Sequence, residues 1–155
     1  MAAPAQERTR GLRVRLTEGR AFVAGQAAGS WDAIAIDAFV AATIPRRLMT
    51  VEALADVARV APLAMMNVLD DRSAREVRTV AASVAAVYPQ VWALGGRTGN
   101  TVVVGAVAPL DLDRIGALAA ADPSPARLTT PRAWMVRLAG TAPMHDEELP
   151  EPRDD

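Results

Sequence analysis

An apolar run at residues 33–37 constrains the fold more than any other segment of the chain. Ala33 to Ile36 are all apolar, without the alternation of polar residues that a strand with one face in water would have. Such runs are typical of interior strands in a parallel sheet, which are covered on both faces. The run ends at Asp37, and ligands of open α/β sheets bind outside the carboxyl ends of the strands. Asp37 is therefore a candidate site residue.

Helical and strand-like patterns alternate along the rest of the chain. Strand-like runs cover residues 12–16, 33–37, 63–69, 91–94 and 101–107. Helical patterns cover residues 20–28, 51–61, 73–87, 112–121 and about 130–138. The alternation predicts an α/β domain with a mainly parallel sheet flanked by helices. The last two strands are joined by a short loop and must therefore form an antiparallel pair at the C-terminal end.

The length of 155 residues suits one domain, with little room for a second. We predict a flexible N-terminus at residues 1–10 and an α/β domain at residues 11–140. Residues 141–155 are rich in proline and acidic side chains, and we predict that they form a disordered acidic tail.

Composition excludes several classes of site. The chain has no cysteine, which excludes disulfides, thiolate metal ligands and a cysteine nucleophile. Its one histidine, His145, lies in the predicted tail, where we expect it to be solvated. A metal site needs three or four converging ligands. The sequence therefore predicts no metal site.

Charge and hydropathy narrow the range of partners. All 17 basic residues are arginines that are spread along the chain, and the net charge is -1. No basic stripe that could follow a phosphate backbone is present, so nucleic acid is not an expected partner. No apolar run approaches the length of about 18 residues that a membrane span needs. The N-terminus lacks the apolar core of a secretory signal, and we predict a cytoplasmic protein without a membrane partner.

Several motifs in register resemble one family. These motifs are LTEGRAF from Leu16, WDAIAIDAF from Trp31, IP from Ile44, LMT from Leu48 with Glu52, MN from Met66 and GNTVVV from Gly99. With them, residues 12–138 resemble the later part of the spermidine synthase (polyamine aminopropyltransferase) family. The resemblance implies a truncated Rossmann-like fold of the class I methyltransferase type, ending in an antiparallel strand pair.

The resemblance assigns roles to three residues. Glu18, with Gly19, matches the acidic position that holds the adenine amino group of the nucleoside donor. Asp37 matches the acid that assists the attacking amine. A polyamine nitrogen is protonated at neutral pH, so a carboxylate that orients it and accepts its proton suits this chemistry. The resemblance implies decarboxylated S-adenosylmethionine or an S-adenosylmethionine-type ligand as the donor, with no further cofactor required, and a polyamine as the acceptor.

Two features depart from the family pattern. No further acid follows Asp37 in residues 38–43, and nothing upstream of Leu12 matches the Gly-rich nucleotide turn or the N-terminal β domain. In the family's fold the first two strands lie beside residues 33–37, so their absence would leave an apolar strand edge, which favours association. We expect residues 12–16 to move in beside residues 33–37 as a right-handed βαβ unit. The alternative is that a second copy or a complementing chain fills the gap.

Three interpretations follow from these matches and departures. The chain is a spermidine synthase-like transferase that a partner completes, a non-catalytic remnant or interaction module, or a fragment from a mis-assigned start. In each case we expect an isolated chain to be inactive. Glu18 also fits an exposed turn and Asp37 a cap of the following loop, while Asn67 is expected to satisfy backbone groups.

Overall fold

The fold alternates strands with helices, as the sequence pattern predicts. The computed structural model describes residues 13–40, 43–70, 74–95, 99–121, 127–129 and 138–149. The strands are β1 (Ile34–Ile36), β2 (Leu63–Asp70), β3 (Gln90–Gly95), β4 (Gly99–Ala106) and β5 (Arg127–Thr129). The α-helices are α1 (Gly19–Ala24), α2 (Val51–Val60), α3 (Arg75–Val87) and α4 (Leu112–Ala121). Two short 3-10 helices cover Arg46–Leu48 and Asp146–Glu148.

The five strands form one sheet in the order β1-β2-β4-β3-β5. β1 and β2 pair in parallel, whereas β4 runs antiparallel to both of its neighbours, β2 and β3, and β5 runs antiparallel to β3. The predicted α/β class and the antiparallel C-terminal strand pair are confirmed. Only one of the four strand pairings is parallel, fewer than predicted, although β1, β2 and β3 point in the same direction. The chain between Gly95 and Gly99 is too short for a crossover, so β4 turns back and separates β2 from β3.

The described part of the strand predicted at residues 12–16 does not join the sheet. Leu12 lies outside the described residues, and residues 13–16 pair with no strand among those that are described. Val14 and Leu16 are 62% and 106% exposed. The predicted βαβ unit is wrong because its crossover helix is too short to cover the sheet: α1 has six residues, and none of them is buried. Among the described residues, β1 therefore pairs along one edge only.

The main core lies between the sheet and the helices α2 and α3. Apolar residues repeat along α3 at intervals of three and four, which places them on one face towards the sheet. The interior members include Leu54 and Val57 of α2, Val80 and Val84 of α3, and Met66 of β2. Trp92, Val104 and Ala106 form a smaller cluster on the other side of the sheet. The core fixes β2, α2 and α3, on which the site described below rests.

Residues 141–149, predicted as part of a disordered tail, pack against the body of the protein. We name this segment the C-terminal strap. Met144 is 5% exposed, its backbone N–H donates to Ser83 Oγ at 2.9 Å, and its carbonyl accepts from the N–H of Val51 at 2.9 Å. The acidic composition misled the prediction because the anchors are one apolar side chain and backbone groups. Residues 1–10 and 150–155, and residues 130–137 of the last predicted helix, lie outside the described residues.

None of the helices in the described ranges has the length and apolar character needed to cross a membrane.

Gly105 provides a test of the core packing. A Cβ built at Gly105 would lie 2.6 Å from Tyr88 Cδ2 and 2.7 Å from Val84 Cγ1, so α3 approaches β4 too closely for a side chain. We expect Gly105→Ala to lower the free energy of unfolding by about 1–3 kcal/mol, as overpacking does. Urea unfolding followed by circular dichroism measures this change.

Gly116→Ala is the matched control for this substitution. Gly116 lies in α4, where an added Cβ would meet only Leu128 Cδ2 at 3.9 Å, an ordinary contact. Alanine favours helix over glycine by about 1 kcal/mol, so this variant should be as stable as the parent or more stable. Equal unfolding midpoints for the two variants would contradict the packing described here.

Candidate functional site

An apolar cavity of about 370 Å³ lies between α1, the open side of β1, and α2. α1 contributes one wall and β1 another. Asp37 and Gly19, two of the residues singled out from the sequence, both line it, whereas Glu18 does not. The other lining residues are Arg20, Phe22, Val23, Gln26, Trp31, Ile34, Ala35, Ile36, Ala38, Leu48, Ala53, Asp56 and Val57.

Asp37 follows directly after β1, at the carboxyl end of that strand. The parallel register pairs Ile36 with Met66, so the next residues along, Asp37 and Asn67, lie side by side. Asn67 Nδ2 donates a hydrogen bond to Asp37 Oδ1 at 2.9 Å. The carboxylate is exposed and retains further acceptor positions, since each carboxylate oxygen can accept two hydrogen bonds. Asp37 is thus an oriented carboxylate at the edge of an apolar cavity.

Asn67 is the site residue that sequence reasoning missed. Its side chain binds Asp37 rather than the backbone groups expected from its place in an apolar strand. The amide orientation is determined by the carboxylate, because turning the amide would bring two oxygens together. The other amide atom, Oδ1, is buried and has no hydrogen-bond partner within the described residues. The parallel pairing of residues 33–37 with residues 63–69 was the signal that could have revealed this contact.

Glu18 caps the N-terminus of α1. Its two carboxylate oxygens accept the backbone N–H groups of Arg20 at 3.0 Å and Ala21 at 2.7 Å. These two hydrogen bonds hold the pKa of Glu18 below its ordinary value. Glu18, for which the sequence also allowed an exposed turn, is therefore a helix cap. Its role in binding adenine stays a prediction. A Cβ at Gly19 would meet Leu48 Cδ2 at 3.8 Å, so no close contact requires glycine there.

An aromatic pair separates the cavity from a second, basic cleft. The rings of Phe22 and Trp31 have centroids 6.4 Å apart and an interplanar angle of 55°. Both rings line the apolar cavity and also an adjoining cleft of about 400 Å³, where Arg13, Arg15 and Thr17 are found. Aromatic faces of this kind pack well against planar heterocycles. The arrangement suits a ligand that combines a flat ring with a cationic chain directed towards Asp37.

The two ends of α1 are held by two different arginines. At the C-terminal end, the Arg59 guanidinium of α2 donates to the carbonyls of Gln26 at 2.6 Å, Ala24 at 3.1 Å and Val23 at 3.3 Å. The carbonyls at the end of a helix lack some of their intrahelical partners, and Arg59 supplies donors there and at Gln26 just beyond the helix. At the other end, Arg20 of α1 binds the C-terminal strap.

The strap contributes Asp146 and His145 near the cavity. Asp146 accepts two hydrogen bonds from the Arg20 guanidinium, one of them at 2.7 Å between Nη1 and Oδ1. This contact lowers the pKa of Asp146 to about 2. Glu52, at the start of α2, binds His145 Nδ1 at 2.8 Å and the backbone N–H of Asp146 at 3.0 Å. The side-chain hydrogen bond raises the pKa of His145 and lowers that of Glu52.

His145 remains accessible to solvent as expected, with 37% of its side chain exposed, but it is bonded to Glu52, which the sequence did not predict. Over the ranges that the structure describes, no three His, Cys, Asp or Glu side chains are grouped so that they could hold a metal ion.

Comparison with solved structures identifies the fold. The chain is similar to the crystal structure of a probable spermidine synthase from Corynebacterium glutamicum, with a TM-score of 0.77 and 22% sequence identity. The match covers 89% of this chain and 56% of that chain, so the chain spans little more than half the length of that protein. The resemblance predicted from the sequence is confirmed for the fold. No protein-family model matches the chain, and no curated protein matches it.

The capping role of Glu18 has a measurable consequence. We expect Glu18→Ala to lower the free energy of unfolding by roughly 0.5 kcal/mol, the low end of cap losses because the carboxylate is exposed. Because the folded pKa is lowered, the benefit of the cap is present above the ordinary pKa of 4.5 and disappears as the pH falls through the folded value. Denaturant unfolding of both proteins across this acid range tests the dependence.

Glu18→Gln serves as the control, because its amide oxygen still accepts a hydrogen bond but does not titrate. Its stability should lie between those of the parent and the alanine variant. A loss for Glu18→Ala that does not change with pH would contradict a charged cap.

The contact between His145 and Glu52 predicts a second pH dependence, of opposite direction. The folded pKa of His145 is raised, so its contribution to stability is fully present below the ordinary value of 6.5 and disappears as the pH rises through the folded value. The stability difference between the parent and His145→Gln should therefore shrink from about pH 5.5 to about pH 9. Urea unfolding at several pH values measures it, and a difference that grows with pH would contradict the contact.

Proposed function

We propose that the cavity beside Asp37 is an amine-transfer site of the spermidine synthase type. In this proposal a nucleoside sulfonium donor, such as decarboxylated S-adenosylmethionine, and a polyamine meet at the carboxylate of Asp37. The supporting observation is the position of Asp37 at the carboxyl end of β1, where Asn67 holds it at the edge of an apolar cavity. The similarity in fold to a probable spermidine synthase gives further support.

The chemistry requires a carboxylate beside an apolar space. An ammonium group of the polyamine gives up a proton to Asp37, and the freed nitrogen lone pair attacks the methylene next to the sulfonium sulfur. A carbon–nitrogen bond forms while the carbon–sulfur bond breaks, and its electron pair leaves with sulfur as a neutral thioether. Both reactants are cations, so a carboxylate at this position attracts each of them.

Asn67 would orient the carboxylate for this step. Its Nδ2 donates to one carboxylate oxygen and leaves the other oxygen of Asp37 for the amine. Phe22 and Trp31, which line the same cavity, would pack their rings against the adenine of the donor. The roles of Glu18 and Gly19 in holding this base belong to the same proposal.

Completion of the site by a second polypeptide is part of the proposal. The outer edge of β1 has no strand partner among the described residues, and Val40, close to Asp37, is 70% exposed. Such an edge accepts further strands readily. A second copy of the chain or a complementing chain at this edge would add the groups that bind the rest of the donor.

The same open edge favours a second candidate function, an interaction module without chemistry. Trp31 and Phe39 flank β1 and are 46% and 37% exposed, which is typical of surfaces that bind another protein. In that case the edge of β1 would bind a partner, and Asp37 would have no ligand.

Calorimetric titration separates these two functions. If the site transfers amines, titration of the parent protein with spermidine or with methylthioadenosine should give a measurable heat of binding. Asp37→Asn should weaken spermidine binding by about tenfold or more, because a charged hydrogen bond becomes a neutral one. The affinity for methylthioadenosine should change little, since the substitution keeps the size of the side chain.

Asp32→Asn is the matched control, since Asp32 is an exposed acid just before β1 that does not line the cavity. It should leave both affinities unchanged. Equal loss of spermidine binding in the two variants would mean that Asp37 acts only through the net charge of the protein and does not bind the amine. No heat with either ligand, together with self-association at the β1 edge, would favour the interaction module.

A further inference from the structure

α1 forms a wall of the cavity although it has little hydrophobic anchorage of its own. The helix has six residues, and none is fully buried; Val23 packs, partly buried, against the main core. Isolated helices of this length are not stable in water, so contacts with other parts of the protein must hold it. Arg20, Phe22, Val23 and Gln26 of this segment face the cavity, and any movement of the helix changes its shape.

The first turn of α1 is tied to the C-terminal strap by two parallel hydrogen bonds. Both terminal nitrogens of Arg20 bind Asp146, each to a different carboxylate oxygen. Because the guanidinium and the carboxylate are both planar, paired hydrogen bonds of this kind fix the orientation of the two side chains as well as the distance between them. The same guanidinium also reaches the carbonyl of Arg47 at 3.4 Å.

Asp146 is itself held in place independently of Arg20. Its backbone N–H donates to Glu52 Oε2 at 3.0 Å, so it is attached to the start of α2. Two residues earlier, Met144 is buried and its backbone is bonded to Val51 and to Ser83. The strap is therefore anchored in the core, and α1 is the more weakly held of the two elements that Arg20 and Asp146 join.

We propose that the C-terminal strap positions α1 and thereby sets the shape of the cavity, with Asp146 as a positioning residue that acts through Arg20. Only the identity of the ligand in the cavity rests on the function proposed above. The strap controls the first turn of α1, which carries Glu18 and Gly19 at its start. The last turn is held separately by Arg59.

Because the two ends of α1 are held by different arginines, loss of one contact should affect only one end of the helix. Without the bond to Asp146, the first turn of α1 should open more often while the last turn keeps its three carbonyl contacts. The bond joins partly exposed side chains, 29% and 37% accessible, so its loss should change global stability little. Local opening and global unfolding are therefore distinguishable.

Hydrogen exchange followed by mass spectrometry tests the proposal in the full chain. Asp146→Asn should raise amide exchange in peptides that cover residues 18–25 by roughly three- to tenfold, while the urea midpoint changes little. Glu148→Gln, a neighbouring acid of the strap that remains exposed, is the control and should leave exchange unchanged. Unchanged exchange at residues 18–25 in Asp146→Asn would overturn the proposal, as would an equal rise across the whole protein.

A double-mutant cycle tests whether Asp146 acts through Arg20. If it does, Arg20→Gln, Asp146→Asn and the double variant should all show the same increase in exchange, because each abolishes the same paired ionic contact. Additive increases would mean that the two residues act separately, and would overturn the assignment.

Ligand affinity is measured separately with methylthioadenosine as the probe. Asp146→Asn should bind it several-fold more weakly than the parent, and Glu148→Gln should bind it equally well. If exchange changes as expected but the parent protein does not bind the probe, the proposed function fails and the positioning role stands. If the parent binds and Asp146→Asn binds equally tightly, the strap does not shape the cavity.

Discussion

The site depends on the parallel pairing of β1 with β2. β1 has three residues and pairs with β2 along one edge, so its register with β2 determines where Asp37 lies. That register brings Asp37 beside Asn67, and the core of α2 and α3 holds β2 in place. A slip of one residue would turn Asp37 to the other face of the sheet. The carboxylate owes its direction to this pairing and to the amide of Asn67.

The opposite wall of the cavity depends largely on polar contacts. No residue of α1 is fully buried, and besides the packing of Val23 against the core, Arg59 holds the end of the helix and Arg20 joins its first turn to the strap. The cavity therefore has one side built on the sheet and one side held mainly by the hydrogen bonds of two arginines.

The sequence predicted the core elements and failed where contacts between distant residues decide the structure. The apolar patterns of β2, α2 and α3 match the structure because each reflects burial of its own residues. Residues 13–16 have an alternating pattern too, yet they pair with no strand among the described residues, because the short helix α1 does not carry them to the free edge of β1. The strap has the composition of an acidic tail. Its attachment to the core could not be predicted, because the hydrogen bond between Met144 and Ser83 joins residues 61 positions apart. Asn67 was misjudged for the same reason, since its partner Asp37 lies 30 positions away.

In the proposed site Asp37 binds an amine while Asn67 orients its carboxylate, so the side-chain amide of Asn67 reports directly on amine binding. Two-dimensional ¹⁵N–¹H NMR of the protein titrated with spermidine should shift the Asn67 Nδ2 signals in a saturable manner, because this group is bonded to the carboxylate that receives the amine. The shift should be absent in Asp37→Asn. Spermidine binding that leaves the Asn67 signals unmoved in the parent protein would contradict the account.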